Sequence, residues 1–230
     1  MEVSEEELRE VYERLPPSYD RVNAHLSFWN DVRWRLQLVK VIEEGLDQNK
    51  VVLDAGSGRG ELSFLIARRR KVTIIDLDYS VEMLRESLIE VERVIGSFEA
   101  LPFRDRAFDT VMSSFAIHAA SNFETVIEEL SRVSRGNVGA IFMGKTRNIL
   151  VRLYVKAYMR LILPEIAKVA GGDAEDYLYI YKMYERNHTN DWYREKLFKF
   201  FHIRVFRELA LGTFILFVGI PRSLSNEDNP

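Results

Sequence analysis

The chain has 230 residues and a mass of 26.9 kDa, which suits a single α/β domain with a small appended element. It contains no cysteine, so disulfides, thiolate metal sites and cysteine nucleophiles are excluded. A net charge of -3 and a pI near 5.9 argue against nonspecific nucleic-acid binding, and no segment approaches the ~18 uninterrupted apolar residues of a membrane span. These features predict a cytoplasmic protein that does not bind nucleic acid.

Helices are predicted ahead of the first strand. An apolar helical face runs from Leu8 to Leu15 and ends at a Pro-Pro pair, and a second helical stretch follows over 19–46. Because these helices precede the sheet, we expect residues 1–48 to form a helical cap.

From residue 50 onward, strand-like apolar runs alternate with amphipathic helical runs, which indicates a parallel sheet with helices on both faces. Strands are predicted at 50–54, 71–76, 93–96, 108–114, 137–143, 201–207 and 213–220, and helices at 60–69, 80–91, 122–134, 149–163, 174–187 and 190–200. Residues 208–212 are too few for a parallel crossover, so the last two strands should form an antiparallel hairpin. The predicted fold is an α/β, seven-stranded, mostly parallel Rossmann-like sheet in one domain over 1–220, with a disordered tail over 221–230.

The segment 144–200 is long for one crossover, and we expect it to form a helical lid over the substrate. Arg152, Lys156 and Arg160 form a basic stripe on its helix 149–163, among apolar residues. One interpretation is a helix that makes peripheral contact with a membrane interface. The other is a buried lid helix with one solvated basic edge. A homodimer is compatible with either interpretation.

The clearest local signal is Asp54 followed by three alternate glycines, Gly56, Gly58 and Gly60. Glycine accepts a positive φ and has no Cβ, so the main chain of such a turn can lie flat against a ligand. Dinucleotide dehydrogenases use G-x-G-x-x-G instead, which admits a pyrophosphate at a helix N-terminus. The acid would repel a pyrophosphate but would accept hydrogen bonds from the ammonium group of S-adenosylmethionine. A glycine-rich turn without a ligand is the third interpretation.

A second acid, Asp78, lies just past the next apolar run, 18 residues after Gly60. In doubly wound folds, a carboxylate at the tip of the second strand binds a ribose diol. Together with the glycine turn, this acid predicts a cofactor that contains a nucleoside. No metal site is predicted.

Four successive segments carry a family resemblance: D-A-G-S-G-R-G at 54–60, D-Y-S-V-E-M-L at 78–84, G-S-F-E-A-L-P-F at 96–103 and F-D-T-V-M-S-S-F at 108–115. They resemble the motifs of class I S-adenosylmethionine-dependent methyltransferases. The resemblance implies S-adenosylmethionine as cofactor and S-adenosylhomocysteine as product. The cofactor-binding residues assigned from these motifs are Asp54, Gly56, Ser57, Gly58, Gly60, Asp78, Tyr79, Ser97, Phe98, Ser114 and Phe115.

Segments on either side of these motifs indicate a narrower family within this class. Residues 19–28 read Y-D-R-V-N-A-H-L-S-F, which is similar to a segment of the ubiquinone/menaquinone-biosynthesis C-methyltransferases, and Y-M-R-L-I-L-P at 158–164 is similar to that family's middle region. Tyr19, Asp20 and Asn23 are therefore candidates to shape the substrate mouth. Capping the break between the N-terminal helices is their alternative role.

Two departures from that family concern the site. Ser97 stands where the family usually has an acid that bonds the adenine amino group, and His118 replaces an arginine associated with the quinol site. An imidazole with an ordinary pKa near 6.5 suits a base that takes a phenolic proton, so His118 is the candidate catalytic residue. A histidine that merely packs beside the cofactor is the alternative.

The resemblance implies C-methylation of a small, hydrophobic aromatic substrate such as a prenylated quinol. Two alternatives remain open at the level of sequence. One is an O- or N-methyltransferase for another small molecule. The other is a catalytically silent protein that binds S-adenosylmethionine.

Overall fold

The computed structural model describes residues 30–44, 46–169 and 174–222, with the backbone alone for 174–179. The candidate substrate residues Tyr19, Asp20 and Asn23 lie outside the described residues. So does the greater part of the predicted cap, and so does the predicted tail from residue 223 onward.

The sheet has seven strands, in the order β3-β2-β1-β4-β5-β7-β6. The strands are β1 (Val51–Ala55), β2 (Thr73–Asp78), β3 (Glu92–Ile95), β4 (Phe108–Ser114), β5 (Ser134–Met143), β6 (Phe201–Leu209) and β7 (Phe214–Pro221). Strands β1 to β5 are parallel to one another, whereas β7 pairs antiparallel with both β5 and β6. The predicted mostly parallel sheet with an antiparallel C-terminal hairpin is confirmed.

Helices flank the sheet in the described part of the chain. They are α1 (Asp31–Ile42), α2 (Glu61–Ala67), α3 (Val81–Arg85), α4 (Phe123–Val133), α5 (Ile149–Ala157), α6 (Leu163–Val169), α7 (Ala174–Arg186) and α8 (Asn190–Phe200). A π-helical segment, Tyr158–Ile162, joins α5 to α6, and single 3-10 turns stand at Ile117–Ala119 and Ala210–Gly212.

Two apolar clusters lie on opposite faces of the sheet. Neighbouring strand residues fall into different clusters, as Val52 and Leu53 do in β1, because successive side chains of a strand point to opposite faces. Helix α1 packs in the first cluster with α5 and α6, and helices α4 and α8 pack in the second. Both faces of the central strands are therefore covered, as a parallel sheet requires.

Helix α3 is shorter than the predicted helix 80–91 and ends at Arg85. The Ser87 hydroxyl donates to the Ile89 carbonyl at 2.9 Å and accepts from the Ile89 amide at 3.4 Å. Such local side-chain bonds offer the backbone an alternative to the helix. The chain therefore turns there and enters β3.

Candidate functional site

A crevice opens at the carboxyl ends of strands β1 to β4. Ligands bind in this position in open α/β sheets, where the strand order reverses. The residues that line the crevice are Arg35, Gly56, Ser57, Gly58, Glu61, Asp78, Tyr79, Ser80, Met83, Ser97, Phe98, Glu99, Ser114, Phe115, Ala116, Ala119 and Ala120.

The glycine turn after β1 forms the floor of the crevice. Gly56, Gly58 and Gly60 have φ values of 74°, 57° and 77°, a region that side-chain-bearing residues rarely adopt. A Cβ on Gly56 would lie 2.5 Å from the Ala116 Cβ, so this position has no room for a side chain. A Cβ on Gly58 would meet no atom within 4 Å, so the Gly58 backbone faces open space. The turn therefore gives a ligand direct access to main-chain atoms.

Asp78 fixes the next part of the crevice wall. Its Oδ2 accepts from the Gly58 amide at 2.7 Å, and its Oδ1 accepts from the Ser80 amide at 2.9 Å. Burial raises the pKa of Asp78, and the backbone N–H donors oppose that rise. Each carboxyl oxygen keeps a second lone pair, so the group can still accept from two hydroxyls of a ligand.

The carboxyl end of β3 supplies the far end of the crevice. Ser97 Oγ accepts from the Glu99 amide at 3.1 Å, which holds the turn and leaves the hydroxyl hydrogen for a ligand acceptor. The Phe98 ring would lie 3.3 Å from a Cβ on Gly56, so it packs directly on the glycine turn. This end offers an aromatic surface and a small polar group.

Asp54 lies behind the crevice, in a buried cluster with Ser63 and Asp76. Ser63 Oγ lies 3.0 Å from Asp54 Oδ2 and 2.5 Å from Asp76 Oδ1. One hydroxyl proton serves only one of these contacts, so the other contact requires a proton on the carboxyl. Burial raises the pKa of Asp76 to about 6, and burial together with the charge of Asp76 raises the pKa of Asp54 well above its ordinary value. Burial therefore favours a proton held within this carboxyl pair.

The strands place most of the predicted cofactor residues together. Nine of the eleven line the crevice, whereas Asp54 and Gly60 do not. Sequence reasoning missed eight lining residues: Arg35, Glu61, Ser80, Met83, Glu99, Ala116, Ala119 and Ala120. The expectation that ligand-binding residues follow the carboxyl ends of parallel strands could have found Ser80 and Glu99, which follow predicted strand ends. Nothing in the sequence marked Arg35, which reaches the site from α1.

His118 lines a second cavity, of about 370 Å³, rather than the cofactor crevice. This cavity also contains the stacked pair His188 and Trp192, whose ring centroids are 3.8 Å apart. Ala119 and Ala120 line both spaces, so the two adjoin. Burial lowers the pKa of His118 to about 4, below the ordinary value assumed from sequence, so its imidazole is neutral at physiological pH.

The comparison with protein families agrees with this geometry. A sequence model of the ubiE/COQ5 methyltransferase family matches residues 1–212. The chain belongs to the ubiE/COQ5 methyltransferase family. Demethylmenaquinone methyltransferase of Tropheryma whipplei is 28% identical over 194 residues, covering 81% of this chain and 77% of that protein. The corresponding protein of Listeria monocytogenes serotype 4a is 29% identical over 191 residues, covering 78% and 80%.

The fold is shared more widely. The structure of a geranyl diphosphate methyltransferase in complex with GPP and sinefungin aligns with a TM-score of 0.58, at 12% identity, covering 81% of this chain and 77% of that one. At this identity the likeness concerns the fold alone. Within the described ranges, no helix is both long and apolar enough to cross a membrane.

The ubiE/COQ5 family uses S-adenosylmethionine, and the crevice fits this group. Asp54 Oδ1 and Ser57 Oγ are buried oxygens without a hydrogen-bond partner in the described part of the chain, and oxygens of this kind suit an ammonium donor. Asp78 suits the ribose hydroxyls, and the open backbone at Gly58 leaves room for the sugar. The protein is a methyltransferase that uses S-adenosylmethionine and acts on a small molecule.

Proposed function

We propose that this methyltransferase transfers a methyl group to a ring carbon of a prenylated quinol or a similar hydrophobic aromatic. The observation that carries the proposal is the second cavity, because it adjoins the cofactor crevice through Ala119 and Ala120. Its volume of about 370 Å³ lies within the range of small-molecule sites. The relatives named demethylmenaquinone methyltransferase support a quinol over other aromatics.

The second cavity has one aromatic wall. Trp192 lies parallel to His188 with an interplanar angle of 18°, and it packs at 6.0 Å from Phe123. Flat aromatic surfaces of this kind bind a planar ring by offset stacking or edge contacts. The polar edge of the cavity, which includes His118, would then meet the hydroxyl groups of the ring.

S-adenosylmethionine supplies an activated methyl group when bound, so the protein's main task is to align donor and nucleophile. The quinol carbon becomes more nucleophilic as the neighbouring hydroxyl loses its proton, which requires an acceptor. His118 is neutral at physiological pH, and its Nδ1 is buried without a partner in the described ranges. We infer that His118 accepts the hydrogen bond of the quinol hydroxyl, because a pKa of about 4 makes its imidazole a hydrogen-bond acceptor but a weaker base than the sequence suggested.

The test uses methyl-labelled S-adenosylmethionine and a demethylmenaquinol with a short isoprenoid tail, under reducing conditions. The expected product carries the label on a ring carbon, as identified by mass spectrometry and NMR. His118→Gln should lower kcat at least 10-fold and leave the affinity for S-adenosylhomocysteine unchanged. His202→Gln, at an exposed position on the edge strand β6, is the matched control. A labelled ether or amine, or no labelled quinol, would refute the proposed reaction.

An exposed apolar stripe on α5 and the π segment supports a peripheral membrane site that supplies such a substrate. Leu150, Leu153 and Leu161 are 73%, 58% and 67% exposed, while residues on the opposite face, such as Met159, are buried. The segment 145–207 carries 13 Lys and Arg against 7 Asp and Glu. Exposed apolar residues beside basic ones are typical of helices that lie in the interface of an anionic membrane. We propose a cytoplasmic protein that binds anionic membrane surfaces through this stripe.

Vesicle flotation tests the membrane site. The wild type should float with phosphatidylglycerol vesicles and much less with phosphatidylcholine vesicles. The double variant Leu150→Glu/Leu153→Glu should lose most of this binding. Phe198→Glu, at a position 59% exposed on α8, should keep it. If the protein does not float, and the same double variant instead converts a homodimer to a monomer in light scattering, the stripe is a subunit interface.

A further inference from the structure

Arg35 is a buried cation at one end of the cofactor crevice. Only 6% of the residue is exposed. Its Nε donates to Ser114 Oγ at 3.1 Å, and its Nη1 donates to Asp31 Oδ2 at 3.0 Å. The guanidinium carbon also lies 4.8 Å from the centroid of the Phe115 ring. Contacts with its own helix and with the end of β4 therefore hold the side chain in one place.

These contacts leave part of the guanidinium unused. The group has five N–H donors, and the two hydrogen bonds described occupy Nε and Nη1. Nη2 donates no hydrogen bond within the described ranges, although the side chain lines the crevice. A planar, pre-positioned guanidinium with free donors is well suited to a carboxylate. The position therefore favours an anionic group in the crevice next to Arg35.

The order of the strands indicates which part of the cofactor lies near Arg35. Asp78, the ribose site, is at the end of β2, on one side of β1. Ser114 and its partner Arg35 are at the end of β4, on the other side of β1. In S-adenosylmethionine the amino-acid portion extends from the ribose away from the adenine. That portion must therefore cross β1 toward β4 if the ribose is at Asp78.

The amino-acid portion carries one ammonium and one carboxylate, and this end of the crevice has one group for each. Asp54 has an oxygen without a partner in the described part of the chain, and it suits the ammonium. Arg35 is close enough to Asp54 for its charge to lower the pKa of that carboxyl, against the stronger effects of burial and of Asp76. The carboxylate of the zwitterion thus finds a cation in Arg35, and the ammonium finds a buried oxygen acceptor in Asp54.

We propose that Arg35 binds the α-carboxylate of the methionine portion of S-adenosylmethionine. Helix α1 thereby completes the cofactor site, which the strand tips alone would leave open at the amino-acid end. The inference rests on the cofactor and is independent of the quinol substrate.

Isothermal titration calorimetry with two ligands tests the proposal. S-adenosylhomocysteine contains the amino-acid portion, whereas 5′-methylthioadenosine has the same nucleoside and sulfur without it. Arg35→Gln should weaken S-adenosylhomocysteine binding roughly 10- to 100-fold, as expected for a lost hydrogen bond to a charged group. The same variant should change 5′-methylthioadenosine binding less than 3-fold, and Arg35→Lys should restore part of the loss.

Arg69→Gln is the matched control, because Arg69 also pairs with the α1 region through Glu43 but lies outside the crevice. It should leave both affinities unchanged. If Arg35→Gln does not fold, the wild type still decides: the carboxamide of S-adenosylhomocysteine should bind at least 10-fold more weakly than the acid. Equal losses for both ligands in Arg35→Gln, an unchanged affinity for S-adenosylhomocysteine, or equal binding of acid and amide would overturn the proposal.

Discussion

Replacing Asp76 with asparagine should stabilise the protein at neutral pH and have little effect at pH 4. Asp76 is fully buried beside Asp54, and burial raises its pKa from 3.8 to about 6. The folded state therefore binds this proton more tightly than the unfolded chain does. Stability from the protonated carboxyl is fully present below about pH 3.8 and is lost as the pH rises through about 6.

The size of the stability loss follows from the difference of about two units between the folded and unfolded pKa of Asp76, at about 1.36 kcal/mol for each unit. Between pH 4 and pH 7.5 the wild type should lose roughly 2 kcal/mol of unfolding free energy through Asp76. Asparagine keeps an acceptor for Ser63 and carries no charge, so this loss disappears. Removing the charge of Asp76 also removes its repulsion of the Asp54 carboxylate, which further stabilises the folded state at neutral pH.

Urea denaturation of the wild type and of Asp76→Asn, without cofactor and from pH 4 to pH 8, gives the difference in their unfolding free energies as a function of pH. The difference between Asp76→Asn and wild type should rise with pH and level off above pH 7. Asp109→Asn is a control of opposite sign, because the Arg135 guanidinium lowers the pKa of Asp109. That variant should be less stable than the wild type at neutral pH, with the difference shrinking as the pH falls. A flat or falling curve for Asp76→Asn would refute the reasoning.

Three further predictions concern the site. Asp78→Asn should weaken S-adenosylhomocysteine binding roughly 10- to 100-fold in calorimetry, since one charged acceptor for the ribose is lost, and an unchanged affinity would remove the ribose assignment. Gly56→Ala should abolish detectable cofactor binding and lower the melting temperature, because its Cβ would lie 2.5 Å from the Ala116 Cβ; a thermal scan and a crystal structure would show whether the turn shifts. Burial lowers the pKa of His118 to about 4, so His118 should not cause a limb near pH 6.5 in the pH profile of kcat/KM. A limb near pH 6.5 that is present in the wild type and absent in His118→Gln would contradict this.

Local features of the sequence were sufficient for much of the fold. The strand β4 is found at the predicted residues 108–114, and the short connection after β6 produced the expected hairpin. Both follow from chain geometry over a few residues, which a sequence pattern records directly. Helix α3 was overestimated because the bonds between Ser87 and Ile89 compete with a helix that the apolar pattern favours.

The sequence predicted features that depend on neighbouring residues, whereas contacts between residues far apart in the chain required the tertiary structure. The sequence by itself determined the positive-φ glycine turn and the acid at the tip of the second strand, because backbone conformation and strand ends are local properties. Only the tertiary structure paired Asp54 with Asp76 through the register of β1 and β2, and brought Arg35 to Ser114, 79 residues away. Only the tertiary structure placed His118 in a cavity beside the crevice. Contacts of this kind depend on packing between distant elements, and no periodicity within one segment encodes them.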